Sequence, residues 1–397
     1  MRKRSKTKVK IRVPDYYKDF KCIADKCEDT CCAGWEVDVD DDSYEYYKTV
    51  TGPFGDRIKS VMVPPTEEEE ACFTLNNGRC PFLNDNNLCD LYTELGEDKL
   101  CDTCTNYPRF IEEYGSLREI GIALSCKTAG ELILKSDKKV TFELTENDEM
   151  VSTYNDIDPE LYMMLMASRK TAFDIAQNRD FDIVMRYCLV LEYAKDIQDM
   201  IDKGTLSKIM NIKNNYSNEE YLRERTKTFN ILHNEEYTRY SYIYEYLKIF
   251  DDFEIINKSW TDMVNHEKEY MYEQSSNEEY KSRYNRFEQY YHEKEYEYEQ
   301  LLVYFIFRYY LKAVNDDDVF SKVKMAVVSF LIIKDLDVLR FCDNEGSLSF
   351  EEQVDIMHIY SREIEHSYEN FEKLSLMLSE DERFSYHVLI SLLVDGL

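Results

Sequence analysis

Ten of the twelve cysteines in this 397-residue chain fall between Cys22 and Cys126: Cys22, Cys27, Cys31, Cys32, Cys72, Cys80, Cys89, Cys101, Cys104 and Cys126. All six histidines lie outside that stretch. Thiols clustered without imidazoles point to an all-sulfur site rather than a mixed Cys/His zinc finger. Cys22-x4-Cys27-x3-Cys31-Cys32 places four sulfurs on a short loop, so little chain must be ordered to bring them together. Two adjacent cysteines rarely serve one ion equally, which assigns Cys31 and Cys32 different roles. Cys101-x2-Cys104 has the spacing of a thiol pair on one turn. Its alternative use is redox exchange, but no thioredoxin-like strand precedes it. Arg109, close behind in Tyr107-Pro108-Arg109, is a candidate to bind a carboxylate or phosphate, or to make an ordinary salt bridge. The remaining cysteines, Cys188 and Cys342, stand alone; Cys188 falls in an apolar helical pattern and reads as core.

The segments that must position these thiols are short. Val13-Pro14 suits extended chain ahead of the first group. Residues 36–40 alternate as a strand does, and residues 43–50 read as a short helix. Residues 51–70, with Gly52-Pro53, Gly55 and Pro64-Pro65, read as a surface loop. Asn76-Asn77-Gly78 and residues 84–87 are turn signals, so Cys80 and Cys89 are predicted on a small hairpin. Residues 91–96 form a helical turn closed by glycine. Residues 117–125 are apolar, and a helix is predicted from Ala129 to Leu134.

Asp158-Pro159 starts the first of many helices, and the pattern stays helical to Leu397. Ser217, Ser276, Ser349 and Ser379 each begin an S-x-x-E capping box. Residues 181–201 and 319–333 are apolar helices; residues 281–312 are one helix or two. Dense tyrosines at helical spacing read as core packing, with a substrate groove as the alternative. None of the histidines, His358 and His366 included, has metal-ligand spacing. The fold class expected is mostly α: a small cysteine-rich, metal-binding α+β domain (21–145), preceded by a basic arm (1–20) and followed by an acidic, tyrosine-rich all-α domain (150–397).

Bulk properties narrow the function. The net charge is −30. The first 150 residues hold 21 basic and 31 acidic groups, so two thirds of the excess sits on the helical half. Such a surface repels phosphate backbones, and nucleic acid is not expected as a partner. The basic segment Met1–Lys10 is the exception and reads as a frayed, solvated terminus. With no apolar signal core after it and no apolar run long enough to span a bilayer, no membrane association is expected and a cytoplasmic location is. In that reducing compartment clustered thiols favour metal over disulfides. No dinucleotide, Walker A or GxSxG motif is present.

In order, Cys22-x4-Cys27-x3-Cys31-Cys32-x2-Trp35, Cys80-Pro81-Phe82-Leu83, Leu88-Cys89-x-Leu91-Tyr92, Leu95-Gly96, Leu100-Cys101-x2-Cys104, Tyr107-Pro108-Arg109 and Ser125-Cys126 resemble the flagellin lysine-N-methylase family. The motifs cover roughly residues 20 to 135; the helical half is similar only in length and character. The resemblance implies methylation of lysine side chains on flagellin, with S-adenosylmethionine as donor and an iron–sulfur cluster, of the 4Fe-4S type, as a second cofactor. It draws the cluster ligands from Cys22, Cys27, Cys31, Cys32, Cys80, Cys89, Cys101, Cys104 and Cys126, with Cys72 fitting less well, and leaves the catalytic residues unassigned. After Cys126 the family tends to Pro-Glu-Ala-Ala-Arg, whereas this chain has Lys127-Thr128-Ala129-Gly130-Glu131. The competing reading is a non-catalytic adaptor, in which the thiols hold zinc and the helices bind a partner. A third, a redox switch through Cys101 and Cys104, requires no metal.

Overall fold

A computed structural model of the protein describes residues 8–27, 29–33, 37–66, 69–151 and 157–395. Most of them are helical, with two small sheets near the N-terminus.

The larger sheet has four strands: β1 (Lys8–Pro14), β5 (Arg109–Tyr114), β6 (Leu117–Ile122) and β7 (Phe142–Met150), in the order β5-β6-β1-β7. The smaller has β2 (Asp38–Val39), β3 (Met62–Val63) and β4 (Ala71–Phe73), in the order β2-β4-β3. Strand β1 runs parallel to β6, with Ile11 opposite Arg118, and antiparallel to β7, with Arg12 opposite Leu144. The expectation of a solvated N-terminal arm is therefore corrected for residues 8–10, which are ordered inside a sheet; Met1–Thr7 lie outside the described residues. Their basic side chains lie beside acidic ones on the facing strand, as where Lys8 Nζ donates to Asp148 at 2.9 Å.

Two hydrophobic cores divide the chain. The small one gathers Val37, Val39, Tyr47, Ile58, Ala71, Phe73, Phe82 and Leu91 with Cys80 and Cys101. The large one holds the helices from Pro159 onward together with Phe20, Tyr114, Ile122, Leu124 and Ile133. The four-stranded sheet thus packs on the helical body. The sheet is also tied there by charge: Glu119 on β6 accepts from Arg12 at 3.0 Å and from the buried Arg169 at 2.8 Å. Removing one partner would strand a buried charge.

The 51–70 loop is corrected too. Gly52–Val61 is a helix with proline in its first turn, where a missing N–H is harmless, and it leads straight into β3. The helix before it runs Asp41–Thr49, and the one after Cys89 runs Asp90–Leu95, closed by Gly96 at φ +94°. Asp158 caps its helix through the backbone N–H groups of Glu160 and Leu161. Ser276 and Ser349 form the expected capping boxes. Ser217 and Ser379 do not: Asn218 caps the Glu219–Leu232 helix, and Ser379 lies within the Tyr368–Glu380 helix.

The longest helix, Val319–Asp343, is buried on nearly every side, as its apolar run predicts. Its buried carboxylates are met by tyrosines: Tyr280 donates to Asp335 and Tyr298 to Asp337, each at 2.6 Å. These tyrosines are core residues whose hydroxyls satisfy buried acids, and others, such as Tyr187 and Tyr193, donate to buried carbonyls. Residues 281–312 resolve into two helices, Asn277–Tyr291 and Tyr296–Tyr309.

Candidate metal centre

A loop of five residues cannot fold on its own hydrophobic contacts, so its side chains must be held from outside. The Phe350–Ile364 helix does this for residues 29–33. Its His358 and Arg362 are four apart and share one face. His358 Nε2 donates to Asp29 Oδ2 at 2.6 Å, and its Nδ1 lies 3.3 Å from the carbonyl oxygen of Leu124. Both ring nitrogens therefore lie against oxygen atoms, one on the thiol loop and one on the chain just before Cys126. Arg362 pairs with the other carboxylate oxygen of Asp29 and donates to the carbonyls of Thr30, at 3.3 Å, and Ala33. Burial would raise the Asp29 carboxyl, but the His358 hydrogen bond and the Arg362 charge outweigh it and hold it at about 2.

Around this clamp the nine candidate ligands separate into two neighbourhoods. The first is Cys22, Cys27, Cys31 and Cys126. Cys31 is raised first by donating its proton to Cys32, then by burial and by charge on Cys22 and Cys126. Cys126, at the start of the Lys127–Leu134 helix, is pushed up to about 11 by burial, with Cys27 and Cys22 adding to the effect. Cys27 is raised by burial, opposed in part by Arg362. The Tyr107 hydroxyl, which donates to the carbonyl of Ser125 at 2.7 Å, feels both Cys31 and Cys126. His366, in edge contact with Tyr107, is lowered to about 4 by burial and by Arg362 and Arg308, so it is neutral near pH 7.

The second neighbourhood is Cys32, Cys80, Cys89, Cys101 and Cys104, at the base of the small core. The predicted hairpin is present in outline: Leu83 bridges Cys89, and the Asp90 N–H donates to Phe82 at 2.8 Å. The Cys80 N–H donates to the Cys32 carbonyl at 2.8 Å, which ties the two cysteine segments together. A hydrogen bond from Cys31 holds Cys32 down at about 7 against its burial. Cys101 is lowered in the same way by Cys104, whose own thiol is raised. Cys80 is pushed up to about 12 by burial, with Cys32, Cys89 and Cys101 contributing.

Thus the structure brings all nine thiols into electrostatic reach of at least one other. They remain short of bonding geometry: among the described residues no three Cys, His, Asp or Glu side chains are gathered tightly enough to hold an ion. The donor chemistry fits a thiolate-held centre nonetheless. Cys31 is hydrogen-bonded to Cys32 and Cys104 to Cys101, and metal binding would displace the thiol protons. Cys72 lies on β4, while Cys188 is buried in the helical body and Cys342 is half-buried there. Arg109 opens β5 with its guanidinium 5.2 Å from the Phe20 ring centre, and among the described residues no carboxylate pairs with it.

Asp29, His358 and Arg362 were not legible as site residues. An acid inside a thiol loop and a His-x3-Arg step were the available signals, but their meeting spans more than three hundred residues. His358, whose spacing did not mark it as a ligand, is buried, at 1% exposed, and hydrogen-bonded to Asp29.

No helix among the described residues is long and apolar enough to cross a membrane. No solved structure matches the chain. The lysine-N-methylase of Salmonella typhimurium (strain LT2) is 24% identical over 152 residues, 37% of each chain. The flagellar biosynthetic protein FliU of Salmonella muenchen is 25% identical over 131 residues, 32% of this chain and 78% of that one. The lysine-N-methylase of Salmonella choleraesuis (strain SC-B67) is 24% identical, again over 37% of each chain. The matches thus span little more than a third of either lysine-N-methylase. The model of the FliB lysine N-methylase C-terminal domain matches residues 169–392, the helical region that carries His358 and Arg362. That match takes in more than half of the sequence and falls on the half whose motifs were least distinctive, and by it the chain belongs to the FliB lysine N-methylase family.

Proposed function

We infer that the protein is a protein-lysine N-methyltransferase that acts on flagellin, with S-adenosylmethionine as methyl donor and an iron–sulfur cluster held by three thiolates drawn from Cys22, Cys27, Cys31 and Cys126. One observation carries this reading: the family-defining helical region reaches across to the thiol loop and fixes it through Asp29. A thiol set that merely stabilised a separate module would not need that grip.

Methyl transfer to an amine requires a neutral lysine, a donor methyl held in line and a site that excludes water. Held by only three of these thiolates, an iron–sulfur cluster would offer its remaining iron to the amino and carboxylate groups of the donor. The chain's own residues do the rest. Asp29, His358 and Arg362 fix the height of the thiol loop against the helical body. Arg109 offers an uncommitted guanidinium to a carboxylate. The acidic surface, with a net charge of −30, draws in the cationic lysines of the substrate.

The test is incubation of anaerobically purified protein with flagellin and methyl-labelled S-adenosylmethionine. Label on flagellin lysines, lost in Cys126→Ser together with iron and labile sulfide, is the expected result. Protein that holds iron and sulfide yet transfers no label would overturn the reading.

A further inference from the structure

We propose that the cleft between Arg239 and Asp395 binds the zwitterionic head of an α-amino acid, the guanidinium taking the carboxylate and the Asp395 side chain the ammonium. The cleft shares no residue with the thiol loop or its clamp and does not depend on methyl transfer. One buried cation is left over here. Arg239 opens the Arg239–Ile249 helix and is 7% exposed. Its guanidinium lies flat against Tyr284, with the central carbon 3.9 Å from the ring centre. Its Nε is buried without a hydrogen-bond partner. The acid that approaches it, Glu288, stops 3.9 Å from a terminal nitrogen, and the same Glu288 oxygen already accepts from Lys334 at 2.9 Å. A guanidinium withdrawn from water without a bonded acceptor is unfavourable, so an acceptor from outside the chain would be held firmly.

An acid is left over beside it. Asp395, 4% exposed, follows the Tyr386–Val394 helix and accepts the backbone N–H of Arg239 on one oxygen at 2.8 Å. Its other oxygen lies 3.6 Å from His233 Nε2, beyond hydrogen-bond reach. Arg239 and Asp395 line one cleft of about 40 Å³, together with the buried Tyr280 and Tyr284 and the exposed Lys281 and Asn285. Yet among the described residues no ion pair joins the two side chains across it. A simple anion would answer Arg239 and be repelled by Asp395, and a simple cation would do the reverse. A molecule that carries both charges on neighbouring atoms answers both, with the planar fork of the guanidinium matched to a carboxylate. One water needs about 10–15 Å³ of such space, so the cleft holds about three heavy atoms. The enclosed part of the ligand is therefore a head group, and its remainder leaves at the edge formed by Lys281 and Asn285, one turn apart on the Asn277–Tyr291 helix.

The experiment uses the full-length chain in equilibrium dialysis against labelled L-amino acids, each alone, with acetate and methylammonium as single-charge probes. At least one amino acid should be retained saturably, one per chain, and about tenfold or more tightly than either probe. Arg239→Lys keeps the charge but loses the fork, and should weaken retention about tenfold or more. Because Arg239 is buried, a second variant acts from the exposed edge: Asn285→Trp should block entry to a similar degree and leave the thermal midpoint unchanged. S-adenosylmethionine carries the same head group and separates the two sources. A free amino acid that stays bound in its presence supports the site with that occupant; displacement that Asn285→Trp abolishes supports the site with the head of the donor in it. The proposal is overturned if no amino acid is retained, if acetate or methylammonium is retained as tightly, or if Asn285→Trp retains the amino acid as wild type does. Retention by a protein that transfers no methyl would sink the proposed activity and leave this cleft standing; methyl transfer by a protein that retains no amino acid would do the reverse.

Discussion

Replacing Asp29 by asparagine should release the thiol loop from the helical body. The carboxyl is held at about 2, against about 3.9 for an unperturbed aspartate. Burial works against ionisation there, so the shift is the surplus of the His358 hydrogen bond and the Arg362 charge. That difference corresponds to about 2.6 kcal/mol. Asp29 is one-third exposed, and solvent screening reduces this to about 1–2 kcal/mol. Because the folded pKa is depressed, the contribution is complete above about pH 4 and is lost as the pH falls through about 2. Hydrogen exchange reads this directly. At pH 7 the amides of residues 29–33 should exchange about 5 to 30 times faster in Asp29→Asn than in wild type, the factor set by that energy. Asp25→Asn is the control, since Asp25 is exposed on the same segment and makes no ion pair among the described residues. Exchange within twofold of wild type, or equal acceleration in both variants, would refute the clamp.

Three further outcomes are expected. Burial lifts Asp337 to about 8, so its support for the fold is complete below about pH 4 and is lost as the pH rises through about 8; Asp337→Asn should flatten that decline, and urea midpoints that shift equally at pH 5 and pH 8 would contradict it. Gly55→Ala should destabilise the small module by at least about 2 kcal/mol, because the added methyl would lie 2.3 Å from the Val50 carbonyl oxygen, a backbone atom between two helices that also accepts from Lys59 Nζ; a denaturation curve matching wild type would exclude it. Gly121→Ala places its methyl 2.2 Å from the Phe110 ring, which is packed against Phe307 and Arg308, and should lower stability by about 1–3 kcal/mol in the same assay.

Features decided locally were legible in the sequence. The Asp158-Pro159 start and the boxes at Ser276 and Ser349 rest on atoms within one turn, and the helices begin there. The same signature misled at Ser217, whose hydroxyl instead donates to the Lys213 carbonyl at the end of the preceding helix. Gly52-Pro53 has two meanings, breaker or first turn, and the neighbouring strands selected the second. Strand β1 could not be read, because a basic terminus becomes a strand only when β6 and β7, more than a hundred residues on, arrive to pair with it. Likewise the thiols announced themselves by type and spacing, whereas which of them become neighbours depends on a fold that carries Cys126 back to Cys22, Cys27 and Cys31.

The chain between Pro14 and Arg109 leaves one sheet and returns to it, so the whole cysteine module is a detour whose two roots are sewn into the same fabric. A single nick at Thr66 would therefore yield two fragments that travel together on a sizing column, with β1 on the shorter piece still laced between β6 and β7 on the longer.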